Sequence, residues 1–175
     1  MPSAEKPHIC ASLSITDSIL RDYCRYIFPE REEGLLKVTN KMMFGRLLIS
    51  HLRASDTPVP FNADPQSRVT FSFPILPSSR TLESKWLYYD KVDTESLNDT
   101  LKAILDQDFY VFYFNGLHTE YQKRDIINAF IASRKLYSRD DFDVLSKRAY
   151  RKEQRYQKAI FAKLLNRAER IDKIL

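Results

Sequence analysis

The residues with the clearest chemical purpose in this sequence are basic side chains near its C-terminal end. Between Lys147 and Lys158 the chain carries six Lys or Arg residues and one acid, Glu153. Lys and Arg neutralise phosphates, while Arg, Ser and Tyr can also hydrogen-bond phosphates or base edges. On the outer face of a helix, the following set would bind a polyanion: Ser146, Lys147, Arg148, Tyr150, Arg151, Lys152, Arg155 and Lys158.

The same bias divides the chain into two electrostatic parts. Of its 28 Lys and Arg residues, fifteen lie between Lys123 and Leu175 beside seven acids, and the rest of the chain has a small negative excess. Release of counterions favours binding of such a positive segment to nucleic acid. Asp140, Asp141 and Asp143 precede the basic residues. There they stabilise the N-terminus of a helix through its dipole, but their negative charge weakens the attraction of DNA.

The sequence contains no motif typical of a nucleotide-binding, metal-binding or catalytic site. Gly34, Gly45 and Gly116 are too isolated for a phosphate loop or a dinucleotide fingerprint. Two cysteines and three scattered histidines give no zinc-ligand spacing, and no hydrolase or protease motif is present. We therefore expect no enzyme activity, no metal or other cofactor and no small-molecule ligand. Cys10 and Cys24 are expected to be reduced thiols.

No segment predicts export or membrane insertion. The first residues are polar, and no apolar run approaches the eighteen or so residues of a membrane span. Hydrophobic residues make up 43% of the chain, enough for a core. These features predict a soluble, cytoplasmic protein without a membrane partner.

The elements that must position the basic residues begin with a strand and a helix. Apolar residues alternate from His8 onward, which predicts a strand, and Thr16 or Asp17 then caps a helix that closes at Pro29. A second short strand follows near residues 35–38.

A second helix is predicted after that strand. Its cap is Thr39 or Asn40, and Met42, Met43 and Phe44 are assigned to the core.

The middle of the chain predicts loops and two strands. Residues 53–66 contain three prolines and read as a loop. Val69–Phe73 alternates and ends at Pro74, which favours an edge strand, and residues 86–89 are predicted to pair with it. A helix then starts at Asp93 or Thr94. Residues 109–114 suit either a strand or a continuation of this helix, and their spacing favours the helix.

The last third predicts two helices joined by a short connection at residues 135–139. Capping boxes at Thr119-x-x-Gln122 and Ser138-x-x-Asp141 mark the two helix starts. Two helices joined by a short turn, the second strongly basic, resemble a helix-turn-helix.

In that pattern each position has a packing role. Ala132 would sit at the helix crossing, Tyr137 would fill the turn, and Phe142 and Leu145 would face the first helix. The family often has glycine where this chain has Leu136.

Two segments resemble small uncharacterised proteins encoded on phages and mobile elements of Bacteroidetes. They are residues 37–53 (KVTNKMMFGRLLISHLR) and 125–150 (DIINAFI…SRDDFDVLSKRAY). In those proteins a strand–helix unit precedes a helical segment with a basic stretch, here from Leu145 to Arg151. The resemblance implies a DNA-binding protein of a mobile element and supplies no mechanism.

Together these patterns predict an α+β, predominantly helical fold. A small N-terminal α+β portion at residues 8–90 precedes a helical, helix-turn-helix-like portion at residues 91–175, or the two form one continuous domain. The predicted function is non-enzymatic binding of duplex DNA, with a homodimer reading two half-sites.

Two alternative functions stay open. One is an adaptor whose basic amphipathic helix binds protein, since apolar residues recur at helical spacing over residues 153–175. The other is an RNA or single-stranded nucleic-acid binder.

Overall fold

The predominantly helical α+β fold is confirmed by the computed structural model, which describes residues 9–30, 34–74, 82, 84–138 and 140–172, with side chains as far as residue 164. By density of contacts the chain divides into two compact units. The first comprises the chain up to Asp108 together with Arg134–Ser138. The second comprises Phe109–Ser133 and the chain after Ser138. The division falls inside the helix that contains Asp108 and Phe109.

A three-stranded sheet organises the first unit. Strand β1 (Ile9–Ser14) pairs antiparallel with β4 (Arg68–Phe73), and β2 (Leu36–Lys37) pairs parallel with the other side of β4. The predicted strand at β1 is confirmed, because its alternate residues are buried. The prediction that β4 is an edge strand is wrong. Proline has no N–H to donate to a neighbouring strand, but Pro74 follows Phe73, the last paired residue of β4. It therefore ends the strand and leaves both sides of β4 free to pair.

A separate two-stranded sheet contains β3 (Arg53–Ser55) and β5 (Trp86–Tyr88), which pair antiparallel. The predicted loop at residues 53–66 therefore begins with a strand, and the predicted pairing of residues 86–89 with β4 is wrong. Both sides of β4 are occupied by β1 and β2, so β5 pairs elsewhere. A three-residue strand is too short to show a reliable alternation.

Helix α1 (Ser18–Ile27) follows the sequence expectation closely. Asp17 accepts a hydrogen bond from the Ile19 amide at 3.1 Å, so the predicted N-cap is confirmed. Leu20 and Cys24 point into the core, four residues apart. Local side-chain chemistry is enough to specify this element.

Helix α2 (Met43–Ser50) starts later than predicted. Its N-cap position is Met42, without a side-chain cap, so a cap at Thr39 or Asn40 is wrong. Met42 and Met43 are exposed, which corrects their assignment to the core, while Phe44 is buried. In the turn before the helix, the Thr39 carbonyl lies so close to Gly45 that a Cβ would overlap it. Only glycine fits there.

Helix α3 (Lys91–Gly116) runs without interruption through the aromatic segment. The favoured helical interpretation of residues 109–114 is confirmed. Asp90 accepts a hydrogen bond from the Asp93 amide at 2.7 Å, so the helix opens slightly earlier than predicted. A strand would place Val111 on the same face as Phe109 and Tyr113, but Val111 is 57% exposed while the other two are buried. The buried residues of α3 instead follow one side of a helix at four-residue spacing: Leu97, Leu101, Leu105, Phe109 and Tyr113.

Helix α4 (Lys123–Arg134) and helix α5 (Asp141–Asp172) complete the second unit. Helix α4 starts after Gln122, whose carbonyl accepts from the Asp125 and Ile126 amides, so Thr119 is not its N-cap as predicted. Thr119 instead closes the turn after α3 by donating to the Gly116 carbonyl at 2.5 Å. A Cβ at Gly116 would press on the Ile126 side chain, so glycine permits the close approach of α4.

Candidate nucleic-acid interface

Four of the predicted binding residues form a single line along α5. Lys147, Arg151, Arg155 and Lys158 follow at intervals of four, four and three residues, and all four are exposed. At 1.5 Å per residue this line is about 16 Å long. We call these four residues the basic stripe. Within the described residues, none of them forms an ion pair.

The stripe faces solvent because the opposite side of α5 is buried. Leu145 and Ala149 are almost completely inaccessible, and by helical periodicity they lie across the helix from Lys147 and Arg151. The fold of the second unit therefore positions the stripe. The apolar side fixes the helix, and the basic side stays in water.

The remaining predicted residues lie beside the stripe with different degrees of exposure. Lys152 is exposed, with its Nζ 4.9 Å from the centre of the Tyr110 ring. Tyr150 is 61% exposed, and its hydroxyl accepts a hydrogen bond from Gln154 at 2.7 Å. Ser146 and Arg148 are half-buried, so they are less available to a ligand than the other six.

The one acid in this segment, Glu153, does not lie in the stripe. Its carboxylate accepts hydrogen bonds from Tyr113 at 2.8 Å and from Lys123 at 2.7 Å. Partial burial opposes its ionisation, but these two bonds outweigh that effect and lower the pKa of Glu153. Burial and the bond to Glu153 raise the pKa of Tyr113. The negative charge is thus held on another side of α5.

The packing expected for a helix-turn-helix is not found at the α4–α5 connection. Ala132 is exposed instead of lying at a crossing, and Tyr137 is 80% exposed instead of filling the turn. Leu136 fills the buried position, and the left-handed residue is Lys135, with φ of 53°. The glycine-like conformation thus occurs one residue before the position that the pattern assigns to it. Of the two residues expected to pack on the first helix, Leu145 is buried and Phe142 only half-buried.

The connection is held by carboxylates of the first unit. Asp108 accepts two hydrogen bonds from Arg134, at 2.8 and 2.9 Å, and one from Tyr23 at 3.0 Å. Partial burial opposes ionisation, but these bonds dominate and lower the pKa of Asp108. Asp22 accepts from the Tyr137 amide and from the Ser138 hydroxyl. The geometry of the connection is therefore set by these contacts, not by a tight helix-turn-helix turn.

The N-terminal end of α5 is unsuited to enter a DNA groove. Asp141 is 2% exposed, and Asp140 and Asp143 add exposed negative charge to the same turn. In a helix-turn-helix the first residues of the second helix read base edges. The first turn of α5 therefore lacks the surface that a recognition helix presents to base edges.

A groove lies on another side of the same helix, where α5 passes the end of α3. It has a volume of about 580 Å³ and is lined mainly by Phe114, Leu117, Tyr156 and Ile160. The rings of Phe114 and Tyr156 are 6.1 Å apart. We call it the α3–α5 groove. The sequence pointed only to the helical spacing of Tyr156 and Ile160, because the α3 residues of the groove are distant in the chain.

In the first unit, His51 and Arg53 form an ion-pair cluster with two aspartates, and this cluster stabilises the fold. Asp93 binds His51 at 2.8 Å and Arg53 at 2.5 Å, and Arg53 also reaches Asp90 at 2.8 Å. Hydrogen bonds from Arg53 and His51 lower the pKa of Asp93 to about 2. This cluster ties β3 to the start of α3, and its contacts include no nucleophilic side chain.

Other features of the described residues bear on cofactors and membranes. His, Cys, Asp and Glu residues form no group of three there that could hold a metal ion. Cys24 is a buried thiol, and burial raises its pKa. None of the helices in the described part of the chain combines the length and apolar character needed to cross a membrane.

Comparison with known proteins identifies no relative. No family model, no curated protein and no solved structure matches the chain. The resemblance to phage and mobile-element proteins therefore stays a prediction from the residues quoted for it.

Proposed function

We propose that this protein is a non-enzymatic DNA-binding protein that docks the basic stripe of α5 on the phosphate backbone of duplex DNA. The observation that carries the proposal is the exposure of all four stripe residues on the side of α5 opposite its buried residues. Because Glu153 is held elsewhere by Lys123 and Tyr113, the stripe has no acid within it.

The geometry favours phosphate contacts over base reading. Four cations over about 16 Å lie alongside about five phosphates of one strand, which recur every 3.4 Å or so along the duplex axis. Lys152 and Tyr150 can add contacts beside the stripe, while Ser146 and Arg148 contribute less because they are half-buried. The aspartates at the start of α5 keep that end away from DNA. We therefore expect binding that depends strongly on salt and weakly on sequence.

A gel-shift titration with random duplex DNA tests the proposal. If about four phosphates are neutralised, the affinity should fall by roughly two orders of magnitude between 50 and 200 mM salt. The variant Arg151→Ala/Arg155→Ala should lower the salt slope by about 2. A matched control is Lys41→Ala/Lys102→Ala, which removes two exposed lysines of the first unit and should leave the slope unchanged.

Two results would contradict DNA binding by the stripe. One is the absence of a shift at about 50 mM salt, where electrostatic binding is strong. The other is an equal loss of affinity in the stripe variant and the control variant, which would mean that only total charge matters. Competition with single-stranded DNA and RNA separates the nucleic-acid alternatives, since a duplex binder should be displaced best by duplex.

The proposal carries three further expectations. With a DNA partner we expect the protein in the cytoplasm of a prokaryotic cell, and the resemblance implies a phage or mobile element. A homodimer would double the number of stripes on one duplex. The stoichiometry of the shifted complex, measured by analytical ultracentrifugation, tests the dimer separately from DNA binding itself.

A further inference from the structure

The second half of α5 exposes apolar residues that the basic stripe does not use. Ile160 is 42% exposed, Phe161 63% and Leu164 59%, and Tyr156 at the rim of the α3–α5 groove is 61% exposed. Scattered exposed apolar residues are ordinary, but a contiguous set beside a groove marks an interaction site. Tyr156, Ile160 and Leu164 recur every fourth residue, so they continue the groove along one side of the helix for about 12 Å.

The charges around this surface have one sign. By helical periodicity Lys163 lies beside Tyr156 and Ile160, and from residue 154 to residue 164 the chain carries no acid. Lys152 lines the groove itself, together with Lys123, and the acid Glu153 is already held by Lys123 and Tyr113. A partner that binds here therefore needs apolar side chains to fill the groove and acidic side chains to contact the lysines at the border of the groove.

We infer that the α3–α5 groove and its continuation bind an amphipathic helix of a partner protein whose apolar face is flanked by Asp and Glu. The length and spacing of the surface suit anchors at positions i, i+4 and i+8 of such a helix. Charge complementarity argues against a second copy of the chain, because two copies would bring the Lys152 and Lys163 side chains of both together. The apolar lining of the groove argues against DNA as the occupant, because phosphates need charged or polar partners.

This inference does not depend on the proposed function. The basic stripe and the groove lie on different sides of α5, so a partner helix and DNA would occupy separate surfaces. A chain with both would recruit an acidic protein to nucleic acid.

Fluorescence anisotropy with designed peptides tests the inference. The probe is a labelled helical peptide of about 16 residues with Leu at i, i+4 and i+8 and Glu at the flanking positions. At about 150 mM salt we expect a Kd between about 1 and 100 µM. Replacing the flanking Glu by Lys, or the three Leu by Ser, should weaken binding at least tenfold.

Variants of the protein locate the site. Ile160→Gln should weaken peptide binding about tenfold without affecting the fold, because Ile160 is largely exposed. Val111→Gln is the matched control, since Val111 is 57% exposed on α3 and does not line the groove. Lys147→Ala/Arg151→Ala should keep peptide affinity within about twofold and reduce DNA affinity, so failure of either proposal is recognised separately.

Each remaining outcome overturns the inference. Lack of binding up to about 1 mM peptide, or equal binding of the Glu- and Lys-flanked peptides, removes the acidic helix as the occupant. Self-association in sedimentation equilibrium that Ile160→Gln abolishes would assign the surface to a second copy. Binding to phosphatidylserine vesicles that the same substitution abolishes would assign it to a membrane surface.

Discussion

In the first unit, the carboxylates of Asp93 and Asp108 each hold a basic side chain, whereas Arg151 and Arg155 of the second unit form no ion pair with a described residue. Arg134 and Lys123 belong to the same basic C-terminal segment, yet both are bound to acids. The charge available to a partner is therefore smaller than the charge counted in the sequence, and the basic stripe provides four such cations along one side of α5.

The largest effect that would test this contrast is expected at Asp108. Asp108→Ala removes the carboxylate that holds Arg134 and Tyr23, both of which have limited access to water. We expect the free energy of unfolding in urea to fall by about 2 to 4 kcal/mol. Asp99→Ala, at an exposed position on the same helix, should change it by less than about 0.5 kcal/mol. An equal loss of unfolding free energy in the Asp108→Ala and Asp99→Ala variants would show that Asp108 stabilises the fold no more than an exposed acid does.

A smaller and pH-dependent effect is expected at Asp93. Asp93→Asn weakens the bonds to Arg53 and His51, and the free energy of unfolding at neutral pH should fall by about 1 to 3 kcal/mol. The folded pKa of about 2 lies below the value near 3.9 of an unfolded chain. The stabilisation is thus complete above about pH 4 and disappears as the pH falls through about 2.

Urea unfolding of both proteins at about pH 6 and at about pH 2 measures this dependence. The difference between wild type and Asp93→Asn should narrow at the lower pH. A difference of constant size would mean that the ionised form of Asp93 is not what stabilises the first unit.

The smallest effect is expected for the basic stripe. Replacement of Lys147, Arg151, Arg155 and Lys158 by Gln removes like charges three and four residues apart, which repel one another along the helix. Thermal and urea unfolding should show a free energy unchanged or raised by about 0.5 kcal/mol. The control Lys91→Gln removes a cation 4.0 Å from Glu95 in the first turn of α3, where loss of the ion pair and relief from the helix dipole oppose each other. Its free energy of unfolding should change by less than about 0.5 kcal/mol. A loss above about 1 kcal/mol in the stripe variant would mean that these side chains support the fold.

Local signals in the sequence predicted the helices better than the sheets. The Asp17 cap and the four-residue spacing of Leu101, Leu105 and Phe109 depend only on neighbouring residues, and both predictions are confirmed. The partners of β4 depend on strands far apart in the chain, and the predicted edge position is wrong.

For the candidate interface too, features that depend on neighbouring residues were predictable from the sequence, and features that depend on distant residues were not. Helical spacing placed Ser146, Lys147, Tyr150 and Arg151 on the solvent face of α5. Of these, Ser146 is half-buried and the other three are exposed. Nothing in the charge pattern indicated that Glu153 pairs with Lys123, thirty residues away. The α3–α5 groove also escaped prediction because two helices build it, and the exposure of Ala132 shows how spacing alone misplaces a packing residue.

The exposure of every side chain from residue 154 to residue 164 has a consequence for the backbone of α5. Tertiary packing supplies most of the stability of protein helices, and this segment receives little of it, chiefly through Tyr156 and Ile160 beside the end of α3. Its amide hydrogens should therefore exchange with solvent through local opening, much faster than those near Leu145. Any ligand that holds the segment in one conformation must offset the entropy lost on ordering, so its association should be enthalpy-driven and should slow this exchange.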